Sequence, residues 1–388
     1  MGIQKMLPPL SEKGKILFLT IAYPPNPTAS AVVHKHLLDQ FDPGSFVVIS
    51  GFFPGAKKVR VPGAVKQHFI YLSAEFISSK LHRVLARLQR FTIPLLLGYH
   101  IRKIKPAKIV IGYPDLYWLD LCSAAAIKYQ VPFVPYLHDT IEEAANSGPG
   151  KELSRIVQHR IFAKAEKIAV MSEGMRALYK KKYNLVTTAW EHIYPEIPVK
   201  FFGEKEYRAH WSGDVYEINY KSVLRLNLAV EKLGLKFSIS NGKTREQLKG
   251  YGISGTHIQK VFDPNRSEYL EHLSKSKIVL LGLNYPDECS IQEDELATIF
   301  STKTPEYLGS GSLIVYHGPA HYFLAKFILD HHCGVVIDSR DEKVIFEKLE
   351  EVCKNYNQYQ DRIENARQCL EIFSPKSVKE KVFATLNG

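Results

Sequence analysis

The 388-residue sequence has few cysteines and no long apolar segment. Its five cysteines are scattered, odd in number and without Cys-X-X-Cys spacing, which argues against a disulfide framework or a zinc site. The apolar runs, such as Thr92 to Gly98, are far shorter than the about 20 residues that a membrane-spanning helix needs. The first fifteen residues lack the apolar core of a secretory signal. We therefore expect a cytoplasmic protein without a bound metal.

Acidic residues are scarce in the N-terminal half. Residues 1–195 contain 26 Lys and Arg against 13 Asp and Glu, a net charge of +13, and the rest of the chain holds the remaining 25 of 51 basic and 27 of 40 acidic residues, or −2. This asymmetry favours a polyanionic partner. Because the basic half lacks interleaved stacking aromatics, an anionic membrane leaflet is a better candidate than nucleic acid. A basic surface that only aids solubility is the alternative.

A basic amphipathic helix is predicted from Ser79 to Phe91. Leu81, Leu85, Leu88 and Phe91 recur at helical spacing, and Lys and Arg occupy the remaining faces. Such a helix suits the interface of an anionic membrane. Packing of the apolar stripe against a sheet is the alternative, and it is the more common explanation of this pattern.

The pattern of apolar residues predicts two α/β domains. Short apolar runs alternate with helical segments along the whole chain, as they do in doubly wound parallel sheets. Periodicity is lost from residue 187 to 205, where two prolines also occur. We interpret this segment as a linker, and we expect a cleft between the parts that precede and follow it.

The stretch from Glu295 to Pro319 carries the clearest site pattern. Its elements are a polar loop, a short helix, a glycine stop, a buried strand and a second loop, in ELATIFSTKTPEYLGSGSLIVYHGP. Loops and helix N-termini at the carboxyl ends of parallel strands bind ligands, where a lysine suits phosphate and an acidic residue suits a ribose diol. The nucleotide-binding candidates in this stretch are Ser301, Thr302, Lys303, Glu306 and Gly318.

This stretch, together with AEKIAVMSEGMRALYKKKY at 165–183, resembles the retaining glycosyltransferases with two Rossmann domains, the GT-B enzymes of the glycosyltransferase 4 type. The resemblance covers nearly the whole chain. It implies an α/β fold of two Rossmann-like, doubly wound parallel-sheet domains that face each other across a cleft. Residues 1–195 would bind the acceptor and residues 205–373 the nucleotide sugar. The terminal segment 374–388 would cross back and pack on the first domain.

The resemblance also implies roles for single residues. His138, at the end of a predicted strand, would face the reacting sugar, with a structural role as the alternative. Lys303 would contact the donor diphosphate, and Glu306 would accept hydrogen bonds from the ribose. These three are the predicted catalytic residues. The predicted donor-binding set is Gly213, Lys221, Phe262, Ser301, Thr302, Lys303, Glu306 and Gly318.

Three places depart from the family pattern. Thr298 stands where the first of two glutamates is usual, and Glu293 or Glu295 could supply that carboxylate from the loop. Asp214 stands where a phosphate-binding cation is usual, which makes Lys221 and Lys303 the expected substitutes. The loop after the first strand carries small residues at 28–31 instead of paired glycines. These departures leave open a catalytically degenerate homologue that acts as a binding or scaffold partner.

The predicted activity is transfer of a hexose-type sugar from a nucleoside-diphosphate sugar to a lipid-linked or polysaccharide acceptor. The resemblance favours a UDP-sugar, with a GDP-sugar as the other option, and implies retention of configuration without a metal or other cofactor. We expect the protein to be cytoplasmic or peripheral at the inner face of the plasma membrane, with no nucleic-acid partner.

Overall fold

The chain divides into two compact units. The computed structural model describes residues 14–24, 29–42, 44–52, 65–72, 80–113, 115–145, 149–194, 204–261 and 266–387. Unit 1 comprises Met1–Ile193 with Pro375–Gly388, and unit 2 comprises Tyr194–Ser374. None of the helices in the described ranges combines the length and apolarity needed to span a bilayer.

Unit 1 is built on a seven-stranded parallel sheet. Its strands are β1 (Ile16–Thr20), β2 (Phe46–Phe52), β3 (Lys66–Tyr71), β4 (Lys108–Tyr113), β5 (Phe133–Leu137), β6 (Ala169–Val170) and β7 (Thr188–Ala189). They lie in the order β3-β2-β1-β4-β5-β6-β7. The central strands β1 and β5 are buried along their whole length, which explains why they read as uninterrupted apolar runs.

Within the described ranges, five helices connect these strands. They are α1 (Ala29–Leu38), α2 (Lys80–Ile104), α3 (Leu116–Lys128), α4 (Pro149–Lys164) and α5 (Glu173–Tyr183). Side-chain caps fix two of the starts: Asp115 accepts a hydrogen bond from the Trp118 amide at 2.7 Å, and Ser172 accepts one from the Met175 amide at 3.2 Å.

Unit 2 contains a six-stranded parallel sheet. Its strands are β8 (Glu206–Ser212), β9 (Lys236–Ser240), β10 (Ile258–Val261), β11 (Ser276–Gly282), β12 (Leu313–His317) and β13 (Val335–Ile337), in the order β10-β9-β8-β11-β12-β13. Its α-helices are α6 (Tyr220–Lys232), α7 (Arg245–Gly250), α8 (Arg266–Lys275), α9 (Glu293–Leu296), α10 (Thr304–Gly309), α11 (Phe323–Asp330), α12 (Glu342–Lys354) and α13 (Gln360–Gln368). Short 3-10 turns occupy Pro286–Glu288, Tyr356–Tyr359 and Cys369–Phe373.

Both sheets are doubly wound. In each sheet the chain runs outward from the first strand to one edge, returns to the centre and then fills the other side, and all described pairs are parallel. The core of unit 2 lies between the sheet and helices that include α6 and α12. Two parallel-sheet α/β domains are the predicted fold class, which is confirmed.

The last helix, α14 (Pro375–Asn387), belongs to unit 1. Its apolar residues Val378, Val382 and Leu386 lie in the unit 1 core. The Trp190 indole donates to the Thr385 hydroxyl at 3.1 Å, and an ion pair of 2.6 Å joins Lys381 to a neighbouring carboxylate on the chain after β7. Pro375 at the first helical position suits its fixed φ angle and missing amide proton. The chain therefore returns to its first unit after completing its second.

Two local predictions need correction. The segment 187–205 is not a linker throughout, because Thr188–Ala189 pairs with β6 as the seventh strand and Trp190 to Tyr194 are buried; residues 195–203 lie outside the described part. The helix predicted from Ser79 to Phe91 continues through Pro94 to Ile104. Leu81, Leu88 and Phe91 of its apolar stripe are exposed, so the structure does not show the alternative of a stripe packed against the sheet.

Candidate functional site

The carboxyl end of β8 is the place where the unit 2 sheet changes winding direction. Strands β9 and β10 lie on one side of β8, and β11 to β13 lie on the other. Loops that follow the two central strands diverge at such a point and leave a crevice, which is where open α/β sheets bind ligands. The loop after β8 begins with Gly213, whose φ of +91° is in the left-handed region that favours glycine.

Lys303 lies against this end of β8. Its ammonium donates a hydrogen bond to the Ser212 carbonyl oxygen and lies 3.5 Å from the centroid of the Trp211 ring. A Cβ atom added to Gly213 would lie 3.5 Å from the same ammonium. A carbonyl dipole and an aromatic face both attract a cation. The structure thus brings together Lys303 and Gly213, two predicted site residues that are 90 positions apart in the sequence.

The charge of Lys303 is finely balanced. Burial lowers the pKa of its ammonium to about 7, and the Glu306 carboxylate acts in the opposite direction. The group is therefore divided between its charged and neutral forms near neutral pH. An anion that binds beside it would favour the charged form.

Glu306, on α10, is linked to the same strand end through Tyr269. The Tyr269 hydroxyl lies 2.7 Å from the Glu306 carboxylate and 2.9 Å from the Ser212 hydroxyl. A carboxylate only accepts, so the phenol donates its proton to Glu306. The Tyr307 hydroxyl in turn accepts from the Ser212 amide at 2.8 Å. This chain of contacts holds the Glu306 carboxylate in one orientation relative to Lys303 and β8.

Sequence reasoning missed three further groups at this end of the sheet. Trp211 and Tyr269 were not singled out, because a lone aromatic residue gives no sequence signal of what it contacts. His210 is completely buried on β8, and neither of its ring nitrogens has a hydrogen-bond partner within the described ranges. Burial lowers the pKa of His210 to about 3, so the imidazole is neutral at physiological pH.

Ser301 and Thr302 directly precede Lys303 in the chain, whereas Lys221 lies on α6. Lys221 lies in the first turn of α6 with its ammonium 5.2 Å from the Tyr220 ring, and it makes no hydrogen bond or ion pair with any described residue. Ser301 is half-buried and its carbonyl accepts from Thr304 at 2.9 Å, whereas Thr302 is exposed. Phe262 lies outside the described residues.

Gly318 has a packing role after β12. Its φ is +146°, and a Cβ atom there would lie 2.5 Å from the Leu283 carbonyl oxygen. Its amide donates to the Ile337 carbonyl at 3.1 Å. Only glycine lets the chain pass this close to the end of β11.

The positions that depart from the family pattern have local partners. The Thr298 side chain is buried, and its hydroxyl donates to the Glu295 carbonyl at 2.9 Å. Glu295 is itself buried, and Glu293 lies 2.9 Å from His321 on the surface. Asp214 forms an ion pair of 3.1 Å with Lys243, a cation near the β8 loop that the sequence did not indicate.

In unit 1, His138 follows β5 and belongs to a buried cluster of imidazoles. His34, on α1, approaches the Ala22 carbonyl with its Nδ1 at 2.6 Å and His138 with its Nε2 at 2.9 Å. The carbonyl only accepts, so His34 carries its proton on Nδ1 and its Nε2 accepts from the Nε2 proton of His138. The ring of His192 lies 5.7 Å from that of His138. The cluster thus fixes the tautomer of His138.

All three imidazoles are neutral. Burial lowers the pKa of His34 to about 4 and that of His192 to about 3, and burial with the neighbouring imidazoles lowers the pKa of His138 well below its usual value. Both ring nitrogens of His192 lack a hydrogen-bond partner within the described ranges. Within those ranges, no group of three or more His, Cys, Asp or Glu side chains is arranged to hold a metal ion.

The fold is that of GT-B proteins. The chain resembles HepE of Anabaena in complex with UDP and glucose, with a TM-score of 0.67 and 12% identity, over 97% of this chain and 100% of HepE. For sucrose-phosphate synthase from Thermosynechococcus elongatus the TM-score is 0.66 and the identity 10%, over 95% of this chain and 97% of the synthase. For a candidate UDP-N-acetylglucosamine 2-epimerase from Listeria monocytogenes the TM-score is 0.56 and the identity 9%, over 96% of this chain and 95% of the epimerase. No protein-family model and no curated protein sequence matches the chain.

Proposed function

We propose that this chain is a glycosyltransferase of the glycosyltransferase 4 type that moves a sugar from a nucleoside-diphosphate sugar to a lipid-linked or polysaccharide acceptor. The observation that carries the proposal is the ammonium of Lys303, held at the carboxyl end of β8 beside Gly213 with the Glu306 carboxylate oriented nearby. Unit 2 would bind the donor, and unit 1 the acceptor.

Lys303 supplies what the reaction needs at the leaving group. Departure of the nucleoside diphosphate develops negative charge on its phosphate oxygens and positive charge on the sugar. The amine is held in place by a carbonyl and a ring, and once the bound diphosphate has favoured its charged form it stabilises this charge without moving. Glu306, oriented by Tyr269, has acceptor oxygens for the ribose hydroxyls.

His138 is the proposed contact to the reacting sugar. Because the Nε2–H of His138 donates its hydrogen bond to His34, Nδ1 is the nitrogen left to accept one from a substrate hydroxyl. The sequence offers no carboxylate recognisable as a nucleophile for double displacement, and front-face transfer with retention of configuration is the mechanism that we favour. The donor we favour is a UDP-sugar, in line with the UDP bound by HepE, and a GDP-sugar is the other option.

A degenerate homologue that binds without catalysing is the second candidate. It is favoured by Thr298, which is buried and bonded to its own turn where a glutamate is usual. Asp214 favours it too, because an anion replaces the usual cation at the β8 loop. The proximity of Lys243 to Asp214 weakens the second argument, since the lysine offsets the negative charge.

A ligand panel separates these functions. Thermal shifts are measured with UDP, GDP, UDP-glucose, UDP-N-acetylglucosamine and GDP-mannose, and each binder is incubated to detect hydrolysis, transfer or epimerisation. We expect binding of one nucleotide and turnover of its sugar, with both lost in Lys303→Met and Glu306→Gln but not in Lys343→Met, an exposed lysine on α12. Binding without turnover would select the degenerate homologue. Epimerisation without transfer, or no binding at all, would overturn the proposal.

The acceptor class and the cellular location are also proposals. A net charge of +13 over residues 1–195 suits an acceptor that carries phosphate or lies at an anionic membrane leaflet. We therefore place the protein in the cytoplasm or at the inner face of the plasma membrane. Transfer assays with short-chain lipid phosphates and with oligosaccharides, compared at equal donor concentration, distinguish the two acceptor classes.

A further inference from the structure

Helix α2 has two apolar faces on opposite sides. One face packs into unit 1 through residues that include Ala86, Ile93, Leu97 and Ile101. The other faces solvent, and we call it the outer stripe: Leu81, Val84, Leu88, Phe91, Leu95 and Tyr99. Their spacing of three and four residues places them on one side of the helix.

The outer stripe is unusually exposed for apolar side chains. Phe91 is 75% exposed, Leu95 is 65% exposed and Leu81 is 64% exposed. Single exposed apolar residues are common on protein surfaces, but a continuous row over five turns of one helix is not. Contiguous apolar surface of this kind marks a site where something else is bound.

The charge around the outer stripe has a single sign. From Phe76 to Pro114 the sequence contains no Asp or Glu, while α2 alone carries six Lys and Arg residues. Arg83 and Arg87 point to solvent on one flank of the stripe and have no carboxylate partner among the residues that the structure describes. An occupant of this surface must therefore be apolar at its centre and anionic at its edge.

An anionic lipid bilayer has both properties. Acyl chains accept the aliphatic side chains, and phosphate headgroups lie at the level of the flanking arginines. A second copy of the chain fits less well, because two stripes packed together would bring like charges into contact. Nucleic acid fits less well too, since the stripe is mostly aliphatic and gives few rings for bases to stack on.

We propose that α2 docks the protein on an anionic membrane, with the outer stripe inserted among the acyl chains and Arg83 and Arg87 at the headgroups. The proposal names the surface behind the membrane location given under the proposed function, and it does not rest on the glycosyltransferase activity. It concerns a different surface from Lys303 and Glu306, and its test requires no sugar donor.

Vesicle sedimentation of the full chain tests the docking. Vesicles of phosphatidylcholine are compared with vesicles that contain phosphatidylglycerol, at about 0.05 M and about 0.5 M salt. We expect binding to the anionic vesicles only, weakened by salt. The triple variant Leu88→Gln, Phe91→Gln, Leu95→Gln should lower the partition coefficient about tenfold or more. Arg83→Gln with Arg87→Gln should remove most of the salt dependence.

Matched controls keep this result interpretable. Leu329→Gln with Val344→Gln changes two similarly exposed apolar residues of unit 2 and should leave binding unchanged. The altered side chains of α2 are exposed, so thermal melting of each variant should match the wild type. If another part of the chain covered the outer stripe, the triple variant would melt at a lower temperature than the wild type, and that result would overturn the proposal.

A fluorescent probe reports insertion directly. All three native tryptophans are buried, so Phe91→Trp adds the one indole that reaches the surface. Its emission should shift to the blue and be quenched by brominated acyl chains when anionic vesicles are added. The proposal would be overturned if the emission did not shift or if the protein bound neutral vesicles equally well. It would also be overturned by a dimer that dissociates in the triple variant, or by retention on DNA in place of vesicles at matched salt.

Discussion

Binding of a nucleotide sugar beside Lys303 should take up a proton. Burial lowers the pKa of this ammonium to about 7, so much of the free protein carries a neutral amine at slightly alkaline pH. A diphosphate in contact with the amine favours its charged form and raises the pKa again. The proton must then come from the buffer.

The size of this uptake follows from the pKa. At pH 7.5 the free protein is about three quarters neutral at Lys303, and binding should take up about 0.8 proton, whereas at pH 6 it should take up about 0.1. Because only the charged form binds well, the apparent affinity should fall about 25-fold between pH 6.5 and pH 8.5. Lys303→Arg removes both effects, since a guanidinium stays charged throughout.

Isothermal titration calorimetry measures the uptake. The nucleotide sugar with the largest thermal shift is titrated at pH 7.5 in two buffers with different ionisation enthalpies, and the difference in heat gives the number of protons. A sugar diphosphate diester does not itself titrate in this range, so the signal belongs to the protein. Binding without buffer dependence, or the same uptake in Lys303→Arg, would refute the assignment of Lys303 as the phosphate contact.

The free protein offers a second check that needs no ligand. The lysine pKa is lowered in the folded state, so its buried charge reduces stability at low pH, and this cost disappears as the pH rises from about 7 towards 10.5. At about 1.4 kcal/mol per tenfold change in proton affinity, the effect is on the order of 3–5 kcal/mol. In denaturant unfolding, Lys303→Met should have a larger free energy of unfolding than the wild type at pH 6, and this difference should disappear by pH 10. A gap independent of pH would contradict the lowered pKa.

Three further predictions concern the packing that supports the site and the units. Tyr269→Phe removes a buried hydroxyl with two partners and should lower the free energy of unfolding in urea by about 1–3 kcal/mol; an unchanged midpoint would contradict the bridge. Gly318→Ala should destabilise by roughly 2 kcal/mol or more, whereas Gly242→Ala, with open space at its Cβ position, should not; equal melting temperatures would rule out the packing role. Deletion of residues 375–387 should cost on the order of 5 kcal/mol, because three apolar side chains leave the unit 1 core; calorimetry would contradict this if no transition moved to lower temperature.

The architecture was predictable because buried parallel strands have a strong sequence signal. Strands such as β1 and β5 are apolar at every position, so their existence and order could be inferred without a structure. The two-residue strand β7 gave no such signal and was assigned to a linker. A strand of two residues is defined by its neighbours rather than by its own composition.

The sequence left open which face of α2 is exposed, for a related reason. Periodicity shows that apolar residues share one side of a helix, but it cannot show which side packs against the protein. Here the buried side is formed by small and branched residues such as Ala86 and Ile93, while the more regular leucine row faces solvent. The stronger periodic signal therefore belonged to the exposed face.

The candidate site was only partly accessible to sequence reasoning. Lys303 and Glu306 could be selected because they lie in one continuous stretch of loop, helix and strand. Their partners Trp211 and Tyr269 are distant in the sequence, and only the folded sheet brings them to the same strand end. The same holds for His34 and His138, which are 104 positions apart and share one hydrogen bond.

The return of α14 to unit 1 affects the order in which the protein can fold. During synthesis, the residues that complete the core of unit 1 leave the ribosome after all of unit 2 has been made. Until then, the buried Trp190 lacks its Thr385 partner and the surrounding apolar residues lack their cover. Unit 2, which is continuous from Tyr194 to Ser374, has no such dependence. The unit translated first is therefore expected to reach its native state last.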